Sequence, residues 1–435
     1  MSLREAPGSA PVTPEPMTDF IGSGREGSVS DQVRAWWQRV RNGDMGALPA
    51  IGGFIALVIL FSILIPAIGG DQTFFTARNF ANLTNQASPL IMLAAALLFV
   101  ILLGEIDLSA AVTYGVAMCA FVVLANPSGP NVPWYFALVI ALAIGAATGT
   151  LIGFFVAKVG VPSFVVTLGL FLGYQGLELT LIGSGGAFPI QSPEIRAIQN
   201  SNLPPWAGWT FLVVAVAIAA GFAMYDRRQR ARAGVPNQSV WIPILKIGVM
   251  GVLGALAVAL LNTNRSQGPN PLEGIPLVVP IVIAILFIGT IVLDRTKYGR
   301  YLYAIGGNAE AARRAGIKVV GVKWIAFVIC STLAVVAGVF QASYVGSVDA
   351  AFGRGDVLSG VAAAVVGGAS LFGGRGRLAH AAVGGLVIAV ITNGLGLIRN
   401  LPAGVNYLVT GGVLILAASI DALSRLRSSR ARVRN

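Results

Sequence analysis

The chain has 435 residues, of which 55% are apolar and 11% charged, and its mean hydropathy is +0.77. Soluble proteins carry ~25% charged residues and cannot hide so much apolar surface, and disorder needs the opposite composition, so both are excluded for most of the chain. Two cysteines inside apolar runs (Cys119, Cys330) exclude a disulfide scaffold, and a net charge of +12 spread between apolar runs forms no patch for nucleic acid.

What remains is an all-α, polytopic transmembrane helical bundle. Residues 1–47 read as a cytoplasmic N-terminal tail. Met1–Gly27, rich in Pro, Gly, Ser and Thr, has a disordered composition and lacks the basic start and apolar core of a signal peptide. Ser30–Val40, with Trp36 and Trp37, reads as a short helix lying on the membrane surface. A helix needs ~20 apolar residues to cross a bilayer. Twelve stretches stand out: Leu48–Ile68, Ser88–Leu103, Ser109–Ala125, Trp134–Ala157, Pro162–Ile182, Ala207–Tyr225, Trp241–Leu261, Leu277–Leu293, Trp324–Val345, Leu358–Phe372, His380–Ile398 and Tyr407–Leu423. The second, third and tenth are short, which predicts tilted, broken or re-entrant segments and leaves a range of about ten to fourteen spans. Residues 48–423 therefore form the membrane domain and 424–435 a basic cytoplasmic tail. The polar loop Gly183–Trp206 is the longest on its side, so neither face has room for a soluble enzyme domain. There is no GxxxxGK[ST] nucleotide loop, and the lone His380 has no second ligand nearby, so neither ATP nor a metal is expected on this chain.

Twelve crossings put both termini on one side. If that side is the cytoplasm, all but five of the 30 basic residues (Arg78, Arg196, Arg265, Arg354 and Arg399) fall in cytoplasmic segments. The bias matches the positive-inside rule. A weak repeat is also visible. Pro89–Ala111 and Ser359–Ala382 each read as an apolar helix, a glycine-led polar turn (GEIDLS, Gly104–Ser109; GGRGRLAH, Gly373–His380) and a small-residue helix. Duplicated halves are one reading; chance likeness between repetitive membrane sequences is the other.

The cytoplasmic connection Asp294–Lys323 carries a short isolated helix. Gly306-Gly307 breaks the preceding chain and Asn308 is the expected N-cap. Ala309, Glu310, Ala311, Ala312, Arg313, Arg314 and Ala315 are mostly strong helix formers, with the acid in the first turn and the arginines in the last. Gly316 supplies a left-handed stop. Two turns are unstable alone in water, so the segment needs a partner surface, where Arg313 and Arg314 would meet acidic groups.

This loop, YAIGGNAEAARRAGI, resembles the coupling segment of ABC-importer permeases for monosaccharides, of the ribose and xylose kind. GEIDLS resembles the family's Gly-Gly-Ile-Asp-Leu-Ser signature, with Glu105 replacing a glycine. VPSFVVTLG (Val161–Gly169) and VVGGASLFGGRGR (Val365–Arg377) are similar to further family blocks. The two apolar segments around DRRQRARAG (Asp226–Gly234) resemble an insertion of xylose-type permeases. The resemblance implies a subunit of the bacterial inner membrane, working as a pair with a second permease copy. It implies an ABC ATPase subunit below, which uses ATP and Mg²⁺, and a periplasmic sugar-binding protein above. The chain itself would be no enzyme and hold no cofactor. Asn308–Gly316 would enter the ATPase groove, and the cargo would be a pentose, D-xylose first.

Glu105 and Asp107 are expected to pair with Arg375 and Arg377 where the two turns meet, and Glu178 to reach the surface. A sugar path needs hydroxyl partners. Candidates are Asn82, Asn85 and Gln86 before the second span, Tyr174 and Gln175 in the fifth, Gln341 and Tyr344 in the ninth, and Asn393 in the eleventh; helix–helix hydrogen bonds are the alternative for each. Other cargoes of the same superfamily (ribose, galactose, autoinducer, nucleoside) and an ion-coupled secondary transporter stay open.

Overall fold

The computed structural model describes residues 48–68, 73–234, 239–266, 268–399, 401–402 and 404–433, with side chains as far as Ser419. The tail helix expected over Ser30–Val40 lies outside the described residues. The elements in order are α1 (Leu48–Ala67), α2 (Ala77–Ile101), α3 (Ala110–Leu124), α4 (Trp134–Gly153, extended by a π-helical turn Phe154–Val159) and α5 (Ser163–Ile182). Then come β1 (Ala187–Pro189), α6 (Pro193–Asn200), α7 (Pro205–Arg232), α8 (Trp241–Leu261), α9 (Val278–Arg295), α10 (Lys297–Gly307) and α11 (Ala309–Arg314). The chain ends with α12 (Val319–Val345), β2 (Ser347–Asp349), α13 (Asp356–Val366), α14 (Leu378–Gly396) and α15 (Gly404–Val433). Among the described residues nine helices are long and apolar enough to cross a membrane, and three shorter apolar ones, α3, α13 and Gly404–Ser419 of α15, complete the set of twelve expected from sequence.

The core is built from α2, α3, α12, α13 and α14, with α4 packed along α12. Met92, Leu97, Met118 and Phe327 are fully buried there. The α4–α12 contact runs through Gly145, Gly149 and Gly153, spaced one turn apart. A Cβ at Gly149 would collide with the carbonyl of Phe327, and one at Gly153 would sit 2.6 Å from Trp324 Cδ1. Lipid tails do not squeeze helices together, so such close approach supplies the attraction through dispersion contacts. The outer helices have the reverse character. Val213, Leu245, Leu253 and Leu256 of α7 and α8 are 61–68% exposed, a surface that acyl chains can cover and water cannot.

The bundle has two ends. At one, Arg295 of α9 holds Asp226 of α7 with bonds of 2.5 and 2.7 Å, and Lys323 of α12 pairs with Glu105. Segments α10 and α11 and the turns after α2 and α13 gather here; it is the basic end. At the other end lie the antiparallel pair β1–β2 (Phe188 opposite Val348), α6 and a single bridge between Asn202 and Pro276.

Two expectations need correction. The second span starts at Ala77, eleven residues before Ser88, so it is long and not short; Thr76 caps it by accepting from the Asn79 N–H at 3.1 Å. Its polar first turns escape a hydropathy reading because they face other helices, not lipid. The tenth stretch is helical only over Asp356–Val366, after which Gly367 and Gly368 open a turn. The polar loop Gly183–Trp206 holds β1 and α6.

Candidate functional site

Helix α11 stands as the sequence proposes. Asn308 Oδ1 accepts the Ala311 N–H at 2.9 Å, and Gly316 ends the segment at φ +84°. Ala312 is buried and Ala309 half-buried against the bundle, whereas Glu310, Ala311, Arg313, Arg314 and Ala315 face outward. Arg313 and Arg314 fold back onto Glu310, at 3.3 and 3.2 Å. Exposed pairs of this spacing are worth only about 0.3–0.5 kcal/mol each, so a partner surface can displace them readily.

The chain entering α11 is clamped. A Cβ at Gly306 would collide with the Leu102 carbonyl oxygen and lie 2.5 Å from the Gly374 amide nitrogen. The Gly374 N–H itself donates to Leu102 O at 2.8 Å. Tyr303 of α10 donates to Gly376 O at 2.8 Å; burial pushes its phenol up to about 12, so it stays a neutral donor. The backbone leading into α11 thus sits directly on the turn after α2 and the turn after α13, the two turns that the repeat pattern matched.

The expected charge pairs are not formed as proposed. Glu105 meets Lys323, and Asp107 meets neither Arg375 nor Arg377. Asp107 is fully buried and accepts from Ser109 N–H (2.9 Å) and Oγ (2.7 Å) and from the Cys330 thiol (3.7 Å). Lys323 and Cys330 lie seven residues apart on α12, about 10 Å of helix, so the two acids engage α12 at different depths: the long Lys323 side chain reaches Glu105, and Asp107 meets Cys330 further in. This explains the shortness of α3: it begins deep in the bundle. Arg375 instead offers its backbone carbonyl to the Ser370 N–H at 3.0 Å, and the Arg377 carbonyl accepts from His380 at the start of α14.

Of the path candidates, four converge at the opposite end. Asn82, Asn85 and Gln86 lie inside α2, and Tyr344 on α12 reaches Asn82 Oδ1 at 3.4 Å. Between them sits Gln199 of α6. Asn85 Nδ2 donates to Gln199 O at 3.2 Å, and the Gln199 N–H donates to Ser343 Oγ at 3.1 Å. Three amide oxygens here, Asn85 Oδ1, Gln86 Oε1 and Gln199 Oε1, are buried without a hydrogen-bond partner. Buried polar atoms of this kind call for an explanation, and acceptors awaiting a ligand's hydroxyls are one. Gln341 is half-buried one turn before Tyr344. The others lie elsewhere. Tyr174 shares a 2.7 Å bond with Thr148, joining α5 to α4, with Gln175 half-buried beside it; Asn393 accepts from Asn79 at 2.9 Å, joining α14 to α2.

Gln199 was missed because its loop looked plainly polar. Its signal is the i, i+4 pair Ile195 and Gln199 in PEIRAIQN, both buried. Glu178 corrects another expectation. It is fully buried on α5, with neither carboxylate oxygen bonded, against the glycine face of α3 at Gly115. The part of α3 that covers it, at Gly115, lies 63 residues earlier in the chain, where no local pattern reveals it.

Residues 79–418 match the family model described as branched-chain amino acid transport system, permease component. The chain belongs to this permease family. The matched span takes in the whole clamp, α11 and the polar cluster. The xylose transport system permease protein XylH of Haemophilus influenzae is 32% identical over 375 residues, covering 85% of this chain and 95% of its own. The XylH protein of Escherichia coli is 31% identical over 394 residues (88% and 97%). The ribose import permease protein RbsC of Escherichia coli is 29% identical over 367 residues (84% and 92%). No solved structure matches this permease.

Proposed function

We propose that this permease is the membrane subunit of an ATP-driven sugar importer in a bacterial inner membrane, carrying a pentose and D-xylose first. The observation that carries the reading is α11: a capped, outward-facing helix too short to stand alone, rooted in the backbone of both turns. An ATPase subunit docked on Asn308–Gly316 moves that helix, and the clamp passes the movement to α2 and α13. A sugar-binding protein delivers cargo at the opposite end, where the three partnerless amide oxygens accept sugar hydroxyls. Two copies of the chain, both with cytoplasmic termini, form the pathway. The helical pair α7–α8 and the xylose-named relatives support xylose; the ribose-named relative at 29% identity supports ribose as the second cargo to test.

The test is reconstitution in vesicles with a partner ABC ATPase and a sugar-binding protein from the same bacterium. ATP-dependent accumulation of labelled xylose is expected, with ribose as competitor. The buried carboxylates of Asp107 and Glu178 favour one rival, ion-coupled transport. Uphill uptake with the ATPase absent, lost in Glu178→Gln, would replace the ATP-driven reading.

A further inference from the structure

The α7–α8 hairpin carries a cavity that transport of cargo does not use. It measures about 320 Å³ and opens between the basic ends of the two helices, near the Arg295–Asp226 pair. Arg227 and Arg230 of α7 and Lys246 of α8 supply its positive charge, with Ile242 and Pro243 as apolar wall. Its one acid, Asp226, is already held by both terminal nitrogens of Arg295, so it does not neutralise the lysine and arginine across from it. Arg230 and Lys246 leave the cup positive, with an apolar side.

The position of the cup sets its ligand. Lys246 lies five residues into α8, about 7.5 Å below Trp241 along the helix axis. Trp241, at the start of α8, and Tyr225, next to Asp226 on α7, are both exposed, and aromatic side chains of this kind mark the headgroup layer of a bilayer. Beyond the cup, toward the bundle's middle, α7 and α8 turn Met224, Val249 and Leu253 outward. A ligand with a phosphate at Arg230 and Lys246 therefore has acyl-chain surface directly beside it. A free phosphate would satisfy the cations but leave the apolar wall and flank unused.

We propose that this cavity binds the phosphodiester headgroup of an anionic diacyl phospholipid, which ties α7 to α8 and, through Asp226 and Arg295, to α9. The proposal is independent of the cargo. The full-length permease, purified in detergent, is titrated with dioleoylphosphatidylglycerol or dioleoylphosphatidylcholine and retained lipid is read by native mass spectrometry. Phosphatidylglycerol is expected to be retained over phosphatidylcholine. The double variant Arg230→Gln, Lys246→Gln should lose roughly thirtyfold in phosphatidylglycerol affinity, from the usual worth of two basic residues at a membrane surface. Lys246→Arg should keep it, and Arg313→Gln with Arg314→Gln, which removes as much charge away from the hairpin, should leave phosphatidylglycerol retention as in the wild type. Both double variants must elute as the wild type does, which excludes misfolding as the cause. Equal retention by wild type and the hairpin variant overturns the proposal. So does displacement of the lipid by inorganic phosphate or glycerol phosphate at matching concentration, which would assign the cup to a soluble anion.

Discussion

Asp107 shows how much one side chain settles in this bundle. It binds both the N–H and the hydroxyl of Ser109 and thereby begins α3 inside the protein, away from water that would otherwise solvate the free amide groups. Asp107→Asn keeps an acceptor oxygen in place, so its melting temperature in detergent should stay near wild type. Asp107→Leu, similar in size, leaves the Ser109 N–H without its partner. It should cost about 1–3 kcal/mol and lower the melting temperature clearly below that of the asparagine variant. Equal melting of the two would show that the bond to Ser109 has no structural weight. The sequence displays Asp107 and Glu105 as near neighbours, and a shared fate was the natural expectation. Their fates diverge because of α12: Lys323 stands at its mouth and Cys330 deeper in, the latter 223 residues from Asp107. No local pattern carries that information.

At the scale of elements, the short helix α11 and its root act as one device. Its cap, its dipole-matched charges and its glycine stop are all local features, and for that reason each was readable from sequence. The root is not local. Gly306 looks like a simple helix breaker, whereas in the fold it closes α10 by lying against Leu102 and Gly374. Two kinds of variant separate the device's parts. Glu310→Arg reverses the charge on the exposed face, and Gly316→Val forces a β-branched residue to φ +84°. Both should insert normally in the membrane yet uncouple ATP hydrolysis from uptake in vesicles holding the ATPase; normal sugar-stimulated hydrolysis in both would refute the docking role. Gly306→Ala acts at the root. Its methyl group must push the Leu102 carbonyl aside, an overpacking cost of about 1–3 kcal/mol. The variant should still bind the ATPase in a pull-down but transport slowly, because the helix docks while its movement no longer reaches the turns. Loss of ATPase binding in Gly306→Ala would mean that the root only shapes α11.

For the whole molecule, hydropathy located twelve apolar helices because lipid-facing residues, as on α7 and α8, and the packed core residues of α3 and α14 are alike apolar. It failed at Ala77–Ala87 and at α6, where polar side chains face protein and the lipid criterion does not apply. The distribution of charge reads through to three dimensions. Arg227, Arg230, Arg295, Arg313 and Lys323 share the end that holds α11, while Arg78, Arg196, Arg265, Arg354 and Arg399 belong to segments of the other end. If the positive-inside rule governs insertion, the α11 end faces the cytoplasm, and the chain offers a clean way to check it. Both native cysteines, Cys119 and Cys330, are buried, so a membrane-impermeant maleimide should leave the wild type unlabelled. Arg354→Cys, on an exposed loop beside β2, should then react in intact spheroplasts. Arg313→Cys should react only in inverted vesicles or after permeabilisation. The opposite pattern would invert the permease in the membrane, place α11 where no ATPase can reach it, and remove the ATP-driven mechanism along with the orientation.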